Sequence, residues 1–119
     1  MGPTELSEQI VLVRKLRAAG VLFCAVPNGG WRDRRGARML RASGVEAGVP
    51  DLLVFDLPND GSCGVALELK RQGASKSSLR PAQKRWLEAL SDRGWTTIVA
   101  FGAEDALCQL RNLGYLKTE

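Results

Sequence analysis

Histidine is absent from the 119 residues, and that one absence removes several chemistries. No Ser-His-Asp triad, no histidine general base and no Cys/His zinc site can be assembled. Cys24, Cys63 and Cys108 are odd in number and far apart, a pattern that suits neither a disulfide framework nor a zinc knuckle. Cys24 and Cys108 sit among apolar residues, so both are expected as buried thiols in an intracellular, cytoplasmic protein. No apolar run approaches the roughly 20 residues of a membrane span. The start, Met1-Gly2-Pro3-Thr4-Glu5, has no basic stretch followed by an apolar one, and no secretory signal is expected. Internal repeats, linkers and low-complexity segments are also missing.

What remains is an ordinary globular composition, 45% hydrophobic and 25% charged, in a length that suits one domain over residues 1–119. Seventeen Lys and Arg against thirteen Asp and Glu leave a formal charge of +4. The excess is concentrated. Arg32, Arg34, Arg35, Arg38 and Arg41 are opposed only by Asp33, and Lys70, Arg71, Lys76, Arg80, Lys84 and Arg85 by no acid at all. Two basic fields in one small domain fit either a polyanionic partner or a solvated face.

Hydrophobic periodicity predicts the element order α-β-(short α)-β-β-α-β-α. An amphipathic helix from about Thr4 to Ala19 has Thr4 as its N-cap and Leu6, Ile10, Val13 and Leu16 as its inward stripe. Val21–Val26 reads as a fully buried strand, stopped at Pro27-Asn28-Gly29-Gly30. A short basic helix ends at Ser43-Gly44. Asp51–Asp56 and Val65–Lys70 read as strands paired antiparallel across the Leu57–Ser62 turn. Gly73–Ser78 is small and polar. A helix starting at Pro81, with Gln83, Trp86, Leu87 and Leu90 inward, ends near Gly94. Trp95–Phe101 is a fourth strand, and a last helix carries Ala106, Leu107, Leu110 and Leu113 inward. Trp86, Trp95, Phe23, Phe55 and Phe101 are core residues by pattern. Trp31 beside the glycines could stack on an exposed base, lid the core or pack in a dimer.

Glu68-Leu69-Lys70 is the informative triplet. Alternate strand residues share a face, so Glu68 and Lys70 lie together while Leu69 points to the core. Asp51, held extended behind Pro50, starts the paired strand and can approach Glu68. Two convergent carboxylates repel unless a cation sits between them, and hard oxygen donors suit Mg²⁺ or Mn²⁺. Such a metal would polarise a phosphodiester, with Lys70 beside it to orient water or steady charge. The alternative is a solvated pair on an exposed strand face.

Gly44-Val45-x-x-Gly48-x-Pro50-Asp51-Leu52, then Glu68-Leu69-Lys70, then Pro81-Ala82-Gln83 resembles the PD-(D/E)-x-K nuclease superfamily, and most closely its virus-type replication-repair nuclease (VRR-Nuc) family. The likeness runs from Glu5 to about Tyr115. It implies an α/β, restriction-endonuclease-like core with a mixed four-stranded sheet flanked by helices. It also implies a Mg²⁺-dependent DNA endonuclease, Mn²⁺ being possible, of a kind found in bacteria and viruses. Asp51, Glu68 and the Leu69 backbone carbonyl would be metal ligands, Lys70 the catalytic lysine and Gln83 the conserved glutamine. Glu5, with Glu8 as the alternative, would supply the carboxylate of the first helix. Arg80 replaces the usual Ser or Thr before the helix-starting proline and cannot accept an N–H as a cap, which leaves Ser78 or a frayed end. Arg32, Arg34, Arg35, Arg38, Lys76, Arg80 and Lys84 would bind DNA. The substrate implied is structured double-stranded DNA, branched or a Holliday-type four-way junction, resolved by a homodimer in repair or recombination. A flap or nicking nuclease of the same chemistry is the alternative, as is a non-catalytic structured-DNA-binding protein.

Overall fold

Every second residue of Val65-Ala66-Leu67-Glu68-Leu69-Lys70 is aliphatic and long, and the sheet is arranged around that alternation. The computed structural model describes residues 2–27 and 33–116. In chain order it contains α1 (Glu5–Ala18), β1 (Phe23–Ala25), α2 (Arg34–Ala42), β2 (Leu52–Val54), β3 (Val65–Lys70), α3 (Pro81–Asp92), β4 (Thr96–Phe101) and α4 (Ala103–Asn112). The strands form a mixed sheet in the order β1-β2-β3-β4, antiparallel except for the parallel β3–β4 pair. A parallel pair cannot be joined by a hairpin, and α3 provides the crossover. The expected element order and the β2–β3 hairpin are both present. The Asn28-Gly29-Gly30 stop, Trp31 and Arg32 lie outside the described residues.

All of β3 is buried. Val65, Leu67 and Leu69 join Leu52, Val54 and Ile98 in a core covered by Leu12 and Leu16 of α1 and Ala106, Leu107 and Leu110 of α4. Ala66, Glu68 and Lys70 face the other way, towards α3. The exposed-face alternative for the two charges is thereby overturned, since Glu68 is 2% and Lys70 9% exposed.

Four expectations need correction. On α1 the buried residues are Leu12 and Leu16, whereas Leu6 is 68% exposed and Ile10 is exposed too. The helix is apolar at 6, 10, 11, 12, 13 and 16, so two stripes overlap in the sequence, and packing on α4 and β3 selects one of them. Val21–Val26 is no fully buried strand, because β1 is a three-residue edge strand with Cys24 and Ala25 exposed. Cys108 is exposed as well, so neither thiol belongs to the core. Phe55 is exposed and meets Trp95 edge-on, with ring centroids 6.3 Å apart. Within the small polar segment, Lys76–Ser78 forms one 3-10 turn.

Removing the Leu12 side chain leaves a cavity under α4. Leu12→Ala is expected to cost about 2–5 kcal/mol in urea unfolding, and Leu6→Ala to stay within about 0.5 kcal/mol for the monomer.

Candidate active site

β2 pairs with β3 only as far as Leu52 opposite Leu67. The next residues on the β2 side are Asp51 and Pro50, and proline has no N–H to continue a ladder. The unpaired Leu69 N–H donates instead to Asp51 Oδ2 at 2.7 Å. The N–H and C=O of one strand residue project towards the same neighbour, so the Leu69 carbonyl also opens to this side, past the end of β2. The Asp51 carbonyl accepts the Val26 N–H at 2.9 Å, which ties the same residue to the end of β1.

Gly48 brings this segment against α3. Its φ is 90°, and a Cβ there would stand 2.6 Å from the Ala82 carbonyl carbon. Only glycine allows both the conformation and the approach. The contact sets Asp51 beside the first turn of α3, which carries Gln83.

Gln83 connects the site. Its Nε2 donates to Glu68 Oε2 at 3.2 Å, while its Oε1 accepts from Lys70 Nζ at 3.1 Å and from the Arg80 N–H at 2.8 Å. The last bond is the backward half of a capping box, with glutamine at the third helical position. As expected, the Arg80 side chain makes no cap. Ser78 does not replace it, since no hydroxyl caps this helix start among the described residues and the Ser78 hydroxyl donates to the Ser75 carbonyl at 2.6 Å. Lys70 Nζ also lies 3.8 Å from Glu68 Oε2.

The remaining oxygen, Glu68 Oε1, is buried and has no hydrogen-bond donor among the described residues. Burial and then the Asp51 charge push the Glu68 carboxyl up to about 8, with Lys70 opposing and Glu5 adding to the rise. Asp51 is also raised, chiefly by burial, against the Leu69 N–H bond that lowers it. With both groups raised and the Asp51 charge acting on Glu68, a proton held at Glu68 relieves the repulsion between them. A hard cation would do the same work as that proton, so the donor set fits Mg²⁺ or Mn²⁺. Among the described residues no three Asp, Glu, His or Cys side chains converge as a ready-made metal cluster. A cation here would rest on two carboxylates and a backbone carbonyl.

The two acids of α1 separate. The Glu5 charge acts on both Asp51 and Glu68. Glu8 turns away to accept the Ala103 N–H at the start of α4, lying against Gly102, whose own N–H donates to the Lys70 carbonyl at 2.9 Å. The sequence does not distinguish these carboxylates, three residues apart on one helix. Of the basic residues, Arg34, Arg35 and Arg38 are exposed on α2, Lys76 on the 3-10 turn, and Arg80 and Lys84 at the start of α3. Asp33, the one acid among the first group, is the N-cap of α2 and accepts the Gly36 N–H at 2.6 Å. Sequence reading missed the anchoring by Glu8 and the capping by Gln83. A glutamine at the third helical position was the available signal for the latter.

A buried acid-x-lysine on a central strand, faced by an aspartate from the neighbouring hairpin strand, defines a PD-(D/E)xK nuclease. The VRR-NUC domain model matches residues 4–104, and the chain belongs to the VRR-Nuc family of that superfamily. It is similar to a solved structure described as a VRR_NUC domain protein, at 25% identity, with a TM-score of 0.72 over 98% of this chain and 95% of the other. A second, described as a VRR_NUC domain, shares the fold at 23% identity and a TM-score of 0.61, over 95% of this chain and 100% of that one. No curated protein matches the sequence. Among the described residues no helix is long and apolar enough to cross a membrane.

Between the unfolded value of 4.5 and about 8, the folded metal-free protein holds a proton at Glu68 that the unfolded chain releases. Its stability should therefore fall as pH rises through that window. Urea midpoints in chelator should drop from about pH 5 to about pH 8, and Glu68→Gln should flatten the drop. At the other carboxylate, Glu8→Ala should cost about 1 kcal/mol in the same assay and Glu8→Gln clearly less, since an amide oxygen still accepts the Ala103 N–H.

Proposed function

We propose that this VRR-Nuc nuclease is a metal-dependent endonuclease that hydrolyses DNA phosphodiester bonds and selects branched DNA, four-way junctions above all. One observation carries the chemistry. Glu68 and Lys70 are buried together beside Asp51, and among the described residues Glu68 Oε1 has no hydrogen-bond partner. Burying such groups is costly unless a ligand completes them.

Asp51, Glu68 and the Leu69 carbonyl would hold Mg²⁺ or Mn²⁺, with Glu5 adding negative charge at the rim. When bound, the ion supplies positive charge against the phosphate and acidifies water. Lys70 has three ammonium donors. One goes to Gln83, and the others are left to orient a water or to meet charge developing on phosphate oxygens. Gln83 fixes both Lys70 and Glu68 in one rotamer pair, so that neither must reorganise during reaction. The exposed Arg34, Arg35, Arg38, Lys76, Arg80 and Lys84 are suited to phosphates flanking the cut, and Arg32 is assigned with them from the sequence.

Resolution of a junction needs two active sites, hence a symmetric dimer. The exposed Leu6, Ile10 and Val11 on α1 favour one. The unpaired cysteines fit action inside the cell.

The test is cleavage of end-labelled DNA in Mg²⁺ and in Mn²⁺, with wild type and Lys70→Ala compared on a junction, a flap, a splayed arm, duplex and single strand. Paired symmetric cuts in the junction, lost in the variant by at least about a hundredfold, are expected. Cuts mainly in the flap would keep the chemistry and change the substrate. Tight junction binding without any cleavage would leave a non-catalytic DNA-binding protein.

A further inference from the structure

A groove of about 500 Å³ runs between the loop after α2 and the outer side of α3. It overlaps a second lobe of about 450 Å³ that reaches the last turns of α2. Arg41, Arg85 and Arg93 line it together with Trp86, and Glu46 is the one acid among its described lining residues. Among the described residues none of the three arginines is in ion-pair distance of a carboxylate. Arg93 is tethered, its Nη1 donating to the Ala89 carbonyl at 2.9 Å. Three guanidinium groups against one carboxylate around a concavity leave a net positive potential there that an anion relieves.

The floor is apolar, and one of its residues is Ala82, the point where Gly48 touches α3. The next residue, Gln83, holds Glu68 and Lys70. The groove therefore adjoins the active site through a rigid contact. It pairs guanidinium donors with the indole of half-buried Trp86, and these are the two elements that bind a nucleotide with its base free to stack. A duplex keeps its bases stacked inside and offers the groove phosphates alone.

We propose that this groove binds an unpaired DNA strand beside the cut, with phosphates on Arg41, Arg85 and Arg93 and a base against Trp86. It rests on the reading of the protein as a DNA nuclease but not on the four-way junction, whose arms are fully paired, and it applies to branched substrates that carry an unpaired strand, such as a flap or a splayed arm. None of the groove arginines is in the active site, and all are exposed, so they can be replaced without disturbing the core.

The experiment is fluorescence anisotropy in chelator, with a labelled oligothymidylate and a labelled blunt duplex as probes. The proteins compared are wild type, Arg41→Ala/Arg85→Ala, Trp86→Leu and Trp86→Phe, with thermal melts to confirm folding. The double variant should weaken single-strand binding about tenfold, lower its salt slope by roughly 1 to 1.5, and change duplex binding less than about threefold. Trp86→Leu should lose about fivefold or more on the single strand, and Trp86→Phe should recover most of it. Equal losses on both probes, or no loss on the single strand, would overturn the proposal. The arginine variant decides alone if Trp86→Leu does not fold. Cleavage by wild type in Mg²⁺ is scored separately. An inactive protein that still shows the single-strand difference would sink the nuclease reading and not the groove.

Discussion

A lysine and a glutamate buried side by side in the central strand set the terms for the rest of this structure. Neither charge is tolerable there unless its hydrogen bonds are met. Gln83 meets two of them and uses the same oxygen to cap the helix on which it stands. One amide thus joins β3, its crossover helix and the start of that helix. The position of α3 follows from a polar requirement as much as from apolar burial, since α3 has no fully buried residue.

The opposite face of β3 obeys ordinary core packing, and the two faces were unequally legible. The alternation of β3, the proline before Asp51, the glycines closing α3 and α4, and Pro81 at a first helical position are local signals, and the elements they mark are present. The missed features depend on which neighbour arrives. α1 has apolar residues on most of its circumference, and α4 decides which of them are inside. Cys24 looks buried in a run of apolar residues, yet the run lies at a sheet edge and, among the described residues, has a strand partner on one side alone. Glu5 and Glu8 are equivalent in the sequence until the first N–H groups of α4 draw one of them away. Arg41, Arg85 and Arg93 are brought to one groove by tertiary packing that no local pattern encodes.

The charge distribution has a clear geometry as well. Glu68 is sunk into the sheet with Asp51 half-buried beside it, while the basic residues are exposed on α2, the 3-10 turn and the first turn of α3. Asp33, the acid nearest the first basic group, is occupied with the backbone of α2 and also draws that helix to a defined start. Such an arrangement matches the proposed reading, in which a polyanion meets exposed positive charge and a cation meets the carboxylates.

The alternation of β3 has a final consequence, for how such a protein can err. Core residues and site residues are successive positions of one strand, so a slip of one register step would turn Glu68 and Lys70 into the aliphatic interior and Leu67 and Leu69 towards Gln83. A mispaired sheet could then be neither stable nor half-functional. Correct folding acts as the proofreader of the active site, and a chain that has buried its leucines has already aimed its charges.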